Sequence, residues 1–255
     1  MTMRGLVLGN SHTACLREAW RVTGSEEAFT LGFLAAHKEL MSGLQFADGR
    51  ADAGTPELRK TLARLGMATG FELTDYDFFV VTACQVSMFR AAGAARQMTV
   101  WPHQGGSQTL VSNPAFVSAL ADDLRTTTAW QIIEGLLETD APILLLPQPH
   151  PHESVLNADT RFPGFRNAVH GGRADWLAGR FRAACDVAVA GKARVLHQPL
   201  KTVSNHICTA DSYQAGSIRL SSGHHEHEAS DILHANVQYG TLQLAQIRDA
   251  LEATQ

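Results

Sequence analysis

Apolar residues along this chain fall into short uninterrupted runs, which are separated by longer segments with helical periodicity. An apolar run of about four to eight residues is typical of a strand that is buried on both faces, as in a parallel sheet. Five such runs predict strands, at residues 5–8, 29–34, 76–82, 142–147 and 193–197. The alternation predicts an α/β fold, a three-layer α/β/α sandwich around a parallel sheet.

Helical periodicity fills most of the chain between these strands. Pro56 is expected in the first turn of one helix, and Ser112 or Asn113 is expected to cap another. Helices are predicted to begin near residue 11 and to cover residues 56–67, 113–137, 174–190 and 236–251. Segments that are rich in glycine or polar residues, and are therefore expected to be irregular, are 38–55, 88–109 and 161–172.

The end of the first strand carries the first candidate for chemistry, Ser11, in the sequence Gly9-Asn10-Ser11. Glycine and asparagine form turns, so the serine is expected where the strand passes into a helix. Open α/β sheets bind ligands at this edge, and the N–H groups of a helix N-terminus favour negative charge. Ser11 is therefore either an N-cap or a nucleophile beside N–H groups that stabilise an oxyanion.

The second candidate is the pair Asp231 and His234, which stand just before the last helical segment. A serine nucleophile needs a base to take its proton, and the base needs a carboxylate to orient it. The spacing Asp-x-x-His supplies both groups from one short loop. His234 is therefore expected to act as the base for Ser11, and Asp231 to orient the imidazole.

These two motifs resemble those of the SGNH (GDSL-type) hydrolases, which begin with a strand followed by Gly-Asp-Ser or a variant and end with Asp-x-x-His. The matching stretches here are Gly9-Asn10-Ser11 and Asp231-Ile232-Leu233-His234. The resemblance spans nearly the whole chain. It implies one domain over residues 1–255, the strand order 2-1-3-4-5, and a serine esterase that hydrolyses short acyl esters, with O-acetyl groups on a carbohydrate as one substrate class.

The resemblance also implies an oxyanion hole. Its donors would be the N–H of Ser11, a glycine N–H after the second strand, and the asparagine of a Gly-x-Asn-Asp motif after the third. Here Gln85 stands at the asparagine position and Ala83 at the glycine position, so the chain departs from the family pattern. Gln85 keeps an amide donor, but its side chain is longer than that of asparagine by one methylene. Alternatively, Gln85 is only a polar residue that caps the end of the strand. Gly32 is expected to supply the glycine N–H, with Gly43 as the other candidate.

Four further residues are expected at the rim of the pocket. Asn10 and His12 flank the serine, and His227 lies shortly before Asp231. His150 follows the fourth strand in a proline-rich loop, where a solvated histidine is the alternative reading.

Residues 224–228 hold three histidines and two glutamates, and this density suggests a rival chemistry. Imidazole and carboxylate groups suit zinc, nickel or iron, so a metal-dependent hydrolase is an alternative. The run does not match a helical ligand spacing such as His-Glu-x-x-His, and no metal or other cofactor is expected. An acyltransferase that uses the same triad and a non-catalytic ligand-binding protein also remain open.

Composition and charge limit the binding partners and the cellular compartment that can be expected for this protein. The chain has 255 residues, a formal net charge of −4 and no long basic run, so neither nucleic acid nor an anionic membrane is an expected partner. A small-molecule or carbohydrate ester is the expected substrate. No apolar run is long enough to span a membrane. Four widely spaced cysteines indicate free buried thiols in a reducing cytoplasm.

Overall fold

A computed structural model describes residues 2–24, 28–37, 39–101, 109–157, 161–221 and 225–253. Its strands are β1 (Met3–Gly9), β2 (Phe29–Ala35), β3 (Leu44–Ala47), β4 (Arg50–Ala53), β5 (Gly70–Glu72), β6 (Phe78–Thr82), β7 (Met98–Thr99), β8 (Thr109–Leu110), β9 (Ile143–Leu146), β10 (Arg194–Val195), β11 (Val203–Ser204) and β12 (Cys208–Thr209). Its helices are α1 (Thr13–Thr23), α2 (Pro56–Arg64), α3 (Met88–Gln97), α4 (Asn113–Leu124), α5 (Thr128–Leu136), α6 (Pro163–His170), α7 (Ala174–Val189) and α8 (Val237–Glu252).

The central sheet has five parallel strands in the order β2-β1-β6-β9-β10. All five residues of β6 are buried, because the sheet is covered on both faces. Leu6 and Leu8 of β1 belong to one apolar cluster and Val7 to another, as the alternation of side chains along a strand requires. The predicted α/β fold with a five-stranded parallel sheet is confirmed.

Helices α1 and α8 pack against each other on one face of the sheet. Helices α2 to α7 contribute to the apolar cluster on the opposite face. Because α1 follows β1 directly and α8 ends the fold, this pairing brings the two ends of the chain together. Within the described ranges, no helix is long and apolar enough to cross a membrane.

Three segments that were expected to be irregular contain regular structure. Residues 38–55 include β3 and β4, which form an antiparallel sheet with β5. Asp48 and Gly49 connect β3 to β4, and both have positive φ angles, 54° and 75°. An Asp-Gly pair favours the tight turn of a β-hairpin, so a local signal for this hairpin was present.

The other two segments that were expected to be irregular contain helices α3 and α6. Helix α3 occupies much of segment 88–109 and buries Met88, Ala91 and Ala92, although Gly93 lowers its intrinsic propensity. Helix α6 begins at Pro163. Proline is well tolerated at the first position of a helix. Residues 102–108, within the first of these segments, lie outside the described residues.

The single long helix expected over 113–137 is wrong, because the chain forms α4 and α5 in its place. Ser112 caps α4 by accepting a hydrogen bond from the N–H of Ala115. Thr127 caps α5 in the same way, with the N–H of Trp130 as donor. The second cap allows the chain to turn between the two helices. The four cysteines are free and buried, as expected.

Candidate active site

Ser11 lies in the turn between β1 and α1, at the carboxyl edge of the sheet. The N-cap residue of α1 is His12, and its side chain makes no cap hydrogen bond. The interpretation of Ser11 as an N-cap is therefore wrong. The Oγ atom of Ser11 lies 2.9 Å from Nε2 of His234 in the last loop, 223 positions along the chain.

Asp231 holds the other side of the His234 ring. Nδ1 of His234 lies 3.0 Å from Oδ2 and 3.1 Å from Oδ1 of Asp231. Oδ1 of Asp231 also accepts hydrogen bonds from the backbone N–H groups of Leu233 and His234, both at 2.8 Å. These contacts fold the Asp-x-x-His segment into a tight turn that presents the imidazole to Ser11.

The ionisation of Asp231 determines the tautomer of His234. Burial alone would raise the pKa of Asp231, but hydrogen bonds from the His234 side chain and backbone outweigh it and hold that pKa well below its usual range. An ionised carboxylate only accepts hydrogen bonds, so Nδ1 of His234 carries the proton. Nε2 is then free to accept the hydroxyl hydrogen of Ser11, the geometry that a general base requires.

The His234 ring is stacked between two other imidazoles. His227 packs on one face, with ring centroids 3.9 Å apart and an interplanar angle of 10°. His12 also stacks on His234, at 4.6 Å and 20°. Stacking on two rings restricts rotation of the His234 side chain. Nδ1 of His227 also lies 3.3 Å from Oδ2 of Asp231, so one carboxylate contacts two imidazoles.

Both flanking histidines are neutral at pH 7. Burial is the main cause that lowers the pKa of His227 to about 4, and the neighbouring His234 lowers it further. Burial and His234 also lower the pKa of His12 well below its usual range. A neutral His227 can donate Nδ1–H to Asp231, and its buried Nε2 has no partner among the described residues. The stack therefore adds no positive charge beside Asp231.

Gly9 allows the strand end to lie close to its neighbours. A Cβ atom at position 9 would overlap the hydroxyl groups of Thr13 and Thr82. Those two hydroxyls hydrogen-bond to each other at 2.7 Å and join α1 to β6. The glycine of the Gly9-Asn10-Ser11 motif is thus required by this close approach.

The turn after β6 has an unusual backbone. Ala83, Cys84 and Gln85 have φ angles of 56°, 41° and 75°, a left-handed conformation that non-glycine residues rarely adopt. Such strain persists only where surrounding structure imposes it, and it is concentrated at functional sites. Register places this turn beside the serine, because Thr82 is paired with Gly9 in the sheet.

Gln85 lines the cavity at this edge, but its side chain is anchored at both ends. Its Nε2 donates to Glu39 Oε1 at 2.8 Å, and its Oε1 accepts from the backbone N–H of Thr128 at 3.2 Å. The orientation of the Gln85 carboxamide therefore does not support the expectation that it donates to an oxyanion. Its hydrogen bonds instead join the strand end to α5.

Gly32 does not lie where the oxyanion hole was expected. It is paired with Leu6 in the interior of β2, three positions before the strand ends at Ala35. This interior position keeps its backbone away from the carboxyl edge, so its assignment as an oxyanion donor is wrong. Gly43, the other candidate, does line the cavity at the site.

The four residues expected at the pocket rim have different locations. Asn10 lines the cavity, whereas His12 and His227 stack on His234. His150 is buried beside Phe181 of α7, and burial lowers its pKa to about 3. The rim position for His150 is therefore wrong, because its loop turns the ring into the interior.

A cavity of about 1050 Å³ lies at this edge of the sheet and is lined by Asn10, the residue that precedes Ser11. Carboxamide side chains from the ends of three adjacent strands border it, Asn10 after β1, Gln85 after β6 and Gln148 after β9. Sequence reasoning missed Gln148, although its position directly after a strand would have identified it. Much of the remaining wall is also polar, and it includes Ser42, Thr55, Glu57, Thr61 and Arg64.

His227, Asp231 and His234 form a group whose candidate ligand atoms all lie within 4.8 Å of one another. Two imidazoles and a carboxylate are a suitable donor set for a transition metal. Nδ1 of each imidazole contacts the carboxylate of Asp231. His224, the first histidine of the run 224–228, lies outside the described residues.

Comparison with known proteins adds no relative to this description. A scan against protein-family models finds no match to the chain, and a search of curated proteins finds no significant match. The chemistry of the site is therefore inferred from its geometry and from the motifs themselves.

Proposed function

We propose that this protein is a serine hydrolase of SGNH type that cleaves short acyl esters, with O-acetyl groups on a carbohydrate as the favoured substrate class. The observation that carries the proposal is the continuous chain of contacts from Ser11 Oγ through His234 to Asp231. A nucleophile, a base with an unprotonated nitrogen and an orienting carboxylate are the three parts that ester cleavage requires.

In the acylation step, Ser11 Oγ forms a bond to the ester carbonyl carbon, and its proton passes to His234 Nε2. The carbonyl oxygen becomes an oxyanion. When the tetrahedral intermediate collapses, the bond between the carbonyl carbon and the alcohol oxygen breaks, and the proton on Nε2 passes to the leaving alcohol. Asp231 stabilises the imidazolium that exists between these two transfers.

Deacylation repeats the sequence with water. His234 Nε2 removes a proton from water as the water oxygen attacks the acyl-enzyme, and the proton then returns to Ser11 Oγ as the acid leaves. An acceptor hydroxyl in place of water would make the same site an acyltransferase. The cavity lined by Asn10 provides the space for either acceptor.

Two features of the fold support the proposal. The five parallel strands, in the order β2-β1-β6-β9-β10, are compatible with the order 2-1-3-4-5 that the resemblance to SGNH hydrolases implies. Most residues that line the cavity carry hydroxyl, carboxamide, imidazole or charged groups, but apolar atoms supply more of the wall's surface than polar atoms do. The polar groups are suited to bind a polar alcohol, and the apolar surface is suited to the acyl group of the ester.

A metal-dependent hydrolase is the second candidate, because His227, Asp231 and His234 are grouped closely enough to bind one ion. In that case a metal-bound water, and not Ser11, would attack the ester. The short contact between Ser11 and His234 favours the serine mechanism, since a metal hydrolase has no need for that hydrogen bond.

The test is hydrolysis of p-nitrophenyl acetate by the purified protein, together with labelling by a serine-directed fluorophosphonate. We expect turnover in the wild type and a covalent label at Ser11 that is absent from Ser11→Ala. Labelling that persists in Ser11→Ala, or turnover that Ser11→Ala leaves intact, would contradict the proposal. His150→Phe, a change at a ring that is buried beside Phe181 and does not line the cavity, controls for general effects of substitution on folding.

A further inference from the structure

We infer that the side chain of Asn10 donates a hydrogen bond to the oxyanion that forms when Ser11 attacks its substrate. The inference rests on the function proposed above and assigns one further catalytic residue to it. It depends on three observations: how the Asn10 carboxamide is oriented, what surrounds its nitrogen, and how the other carboxamides at the same edge are used.

The orientation of Asn10 is fixed by a backbone donor. The N–H of His12 lies 3.2 Å from Oδ1 of Asn10 and donates to it. Because an N–H group cannot accept a hydrogen bond, the carboxamide oxygen must face His12 and the Nδ2 group must point the other way. The turn that contains Ser11 thus determines the direction of the two N–H bonds of Asn10 Nδ2.

The Nδ2 group has no protein acceptor in the described part of the chain, and Asn10 borders the cavity. Asn10 as a whole is only 8% exposed. An amide donor that no protein group uses is available to water or to a bound ligand. The residue directly before Ser11 therefore has a donor that a substrate oxygen can use.

Gln85 does not provide an equivalent donor, because its carboxamide is already used. Its nitrogen donates to Glu39 and its oxygen accepts from Thr128, so both ends of the group are held. Asn10 is held only through its oxygen. Gln85 Nε2 keeps one further N–H, but Glu39 and Thr128 set the orientation of its carboxamide. Asn10 uses neither of its two N–H bonds within the described residues.

Gln148 offers a matched comparison. It is 9% exposed, borders the same cavity and, unlike Asn10, has no hydrogen bond at either end of its carboxamide among the described residues. It follows β9, however, which is separated from β1 by β6. We expect Gln148 to contact a part of the substrate farther from the reacting carbonyl, and to affect KM more than kcat.

The experiment compares kcat and KM in Asn10→Asp, Asn10→Ala and Gln148→Ala. Asn10→Asp keeps an oxygen for the His12 N–H but removes the donor, so the local turn is preserved. This change gives the Gly-Asp-Ser sequence of the family that the motif resembles, in which the Asn of Gly-x-Asn-Asp supplies the donor. Because this chain has Gln85 at that position, held by Glu39 and Thr128, Asn10→Asp should leave the site without a side-chain donor. Loss of one oxyanion donor lowers kcat by about 10²–10³-fold. We expect that loss in both Asn10 variants, with KM within a few-fold of wild type, and a loss of kcat below about tenfold in Gln148→Ala.

Ser11→Ala is measured in parallel, so that the two proposals can fail separately. If Ser11→Ala is inactive while Asn10→Asp and Asn10→Ala keep kcat within a few-fold of wild type, the assignment of Asn10 is overturned and the serine mechanism stands. An equal loss of kcat in Gln148→Ala and Asn10→Ala also overturns the assignment. If Ser11→Ala retains full activity, the proposed function itself fails. Thermal unfolding identifies any variant that has lost its fold.

Discussion

The backbone of Gly240 in α8 packs against the carbonyl group of Cys15 in α1 so closely that a Cβ atom at position 240 would overlap the carbonyl oxygen. Helix α1 begins two residues after Ser11, and α8 begins three residues after His234. The separation of these helices therefore sets the distance between the nucleophile and its base. A glycine in the last helix makes a contact between the two ends of the chain possible.

Replacement of Gly240 by alanine should accordingly reduce both stability and activity. The backbone of Cys15 cannot move as a flexible side chain would, so α8 must shift away from α1. Overpacking of this kind costs about 1–3 kcal/mol of unfolding free energy. We expect a lower melting temperature and a lower kcat, measured by thermal unfolding and by ester hydrolysis.

Gly179→Ala is the matched control for that prediction. Gly179 also lies inside a helix, α7, but a Cβ atom there would meet no heavy atom within 4 Å. Because alanine is favoured over glycine in a helix interior by up to about 1 kcal/mol, this variant should be at least as stable as wild type. Equal effects of the two substitutions would refute the role assigned to Gly240.

The second prediction concerns non-additivity within the site. Ser11 and His234 act in one proton transfer, so loss of either should remove most of the rate, on the order of 10⁴-fold or more. The double variant Ser11→Ala/His234→Ala should then be hardly slower than either single variant. Asp231→Ala should lose less, because stacking on His12 and His227 still holds the imidazole. Losses that multiply in the double variant would show that the two residues act independently.

Stability should fall as the pH is lowered, and His150 should contribute to that fall. Burial lowers the pKa of His150 to about 3 in the folded protein, whereas an unfolded histidine titrates near 6.5. Between these two values the unfolded chain binds a proton that the folded chain does not, so acid favours unfolding. Each such group contributes a slope of up to about 1.4 kcal/mol per pH unit below pH 6.5.

Denaturant unfolding at pH 7 and pH 5 provides the measurement. The wild type should lose free energy of unfolding over this interval. His150→Phe keeps a ring beside Phe181 but cannot titrate, so its loss should be smaller. His12 and His227 also have lowered pKa values and will contribute a remaining slope in the variant. An identical pH dependence in both proteins would contradict the prediction for His150.

The last prediction separates the serine mechanism from metal chemistry. His227, Asp231 and His234 are close enough to bind an ion, but each already contacts another member of the group. Activity should therefore survive dialysis against EDTA, and added zinc should not increase it. Loss of activity on chelation with recovery on added zinc would support the metal-dependent alternative.

Residue patterns along the chain were sufficient to predict the parallel sheet and to locate the two motifs. Parallel strands are continuous apolar runs because both faces are buried, so β6 and β9 could be located without knowledge of their neighbours. The turn after Gly9 and the loop at Asp231 also carry local signals. The hairpin between β3 and β4, by contrast, was missed although its Asp-Gly turn is a local signal.

The hydrogen bonds of the side chains at the sheet edge depend on the folded chain and could not be predicted from the sequence. Gln85 has the right chemistry for an oxyanion donor, but Glu39 and Thr128 hold its amide. Gly32 lies in the interior of β2, and the His150 ring is buried rather than exposed at the rim. The positions of Gln85 and His150 depend on contacts with residues that are distant in sequence, whereas the interior position of Gly32 already followed from the strand predicted over residues 29–34.

The arrangement of the three stacked imidazoles could likewise be predicted only in part from the sequence. Sequence placed His12 beside the serine and His227 near Asp231, yet it gave no reason to expect both rings against His234. That arrangement arises because α1 packs on α8 and brings the first and last loops to one edge of the sheet. Periodicity is local and can be read along the chain, whereas distances of 3–4 Å between remote side chains are set by packing.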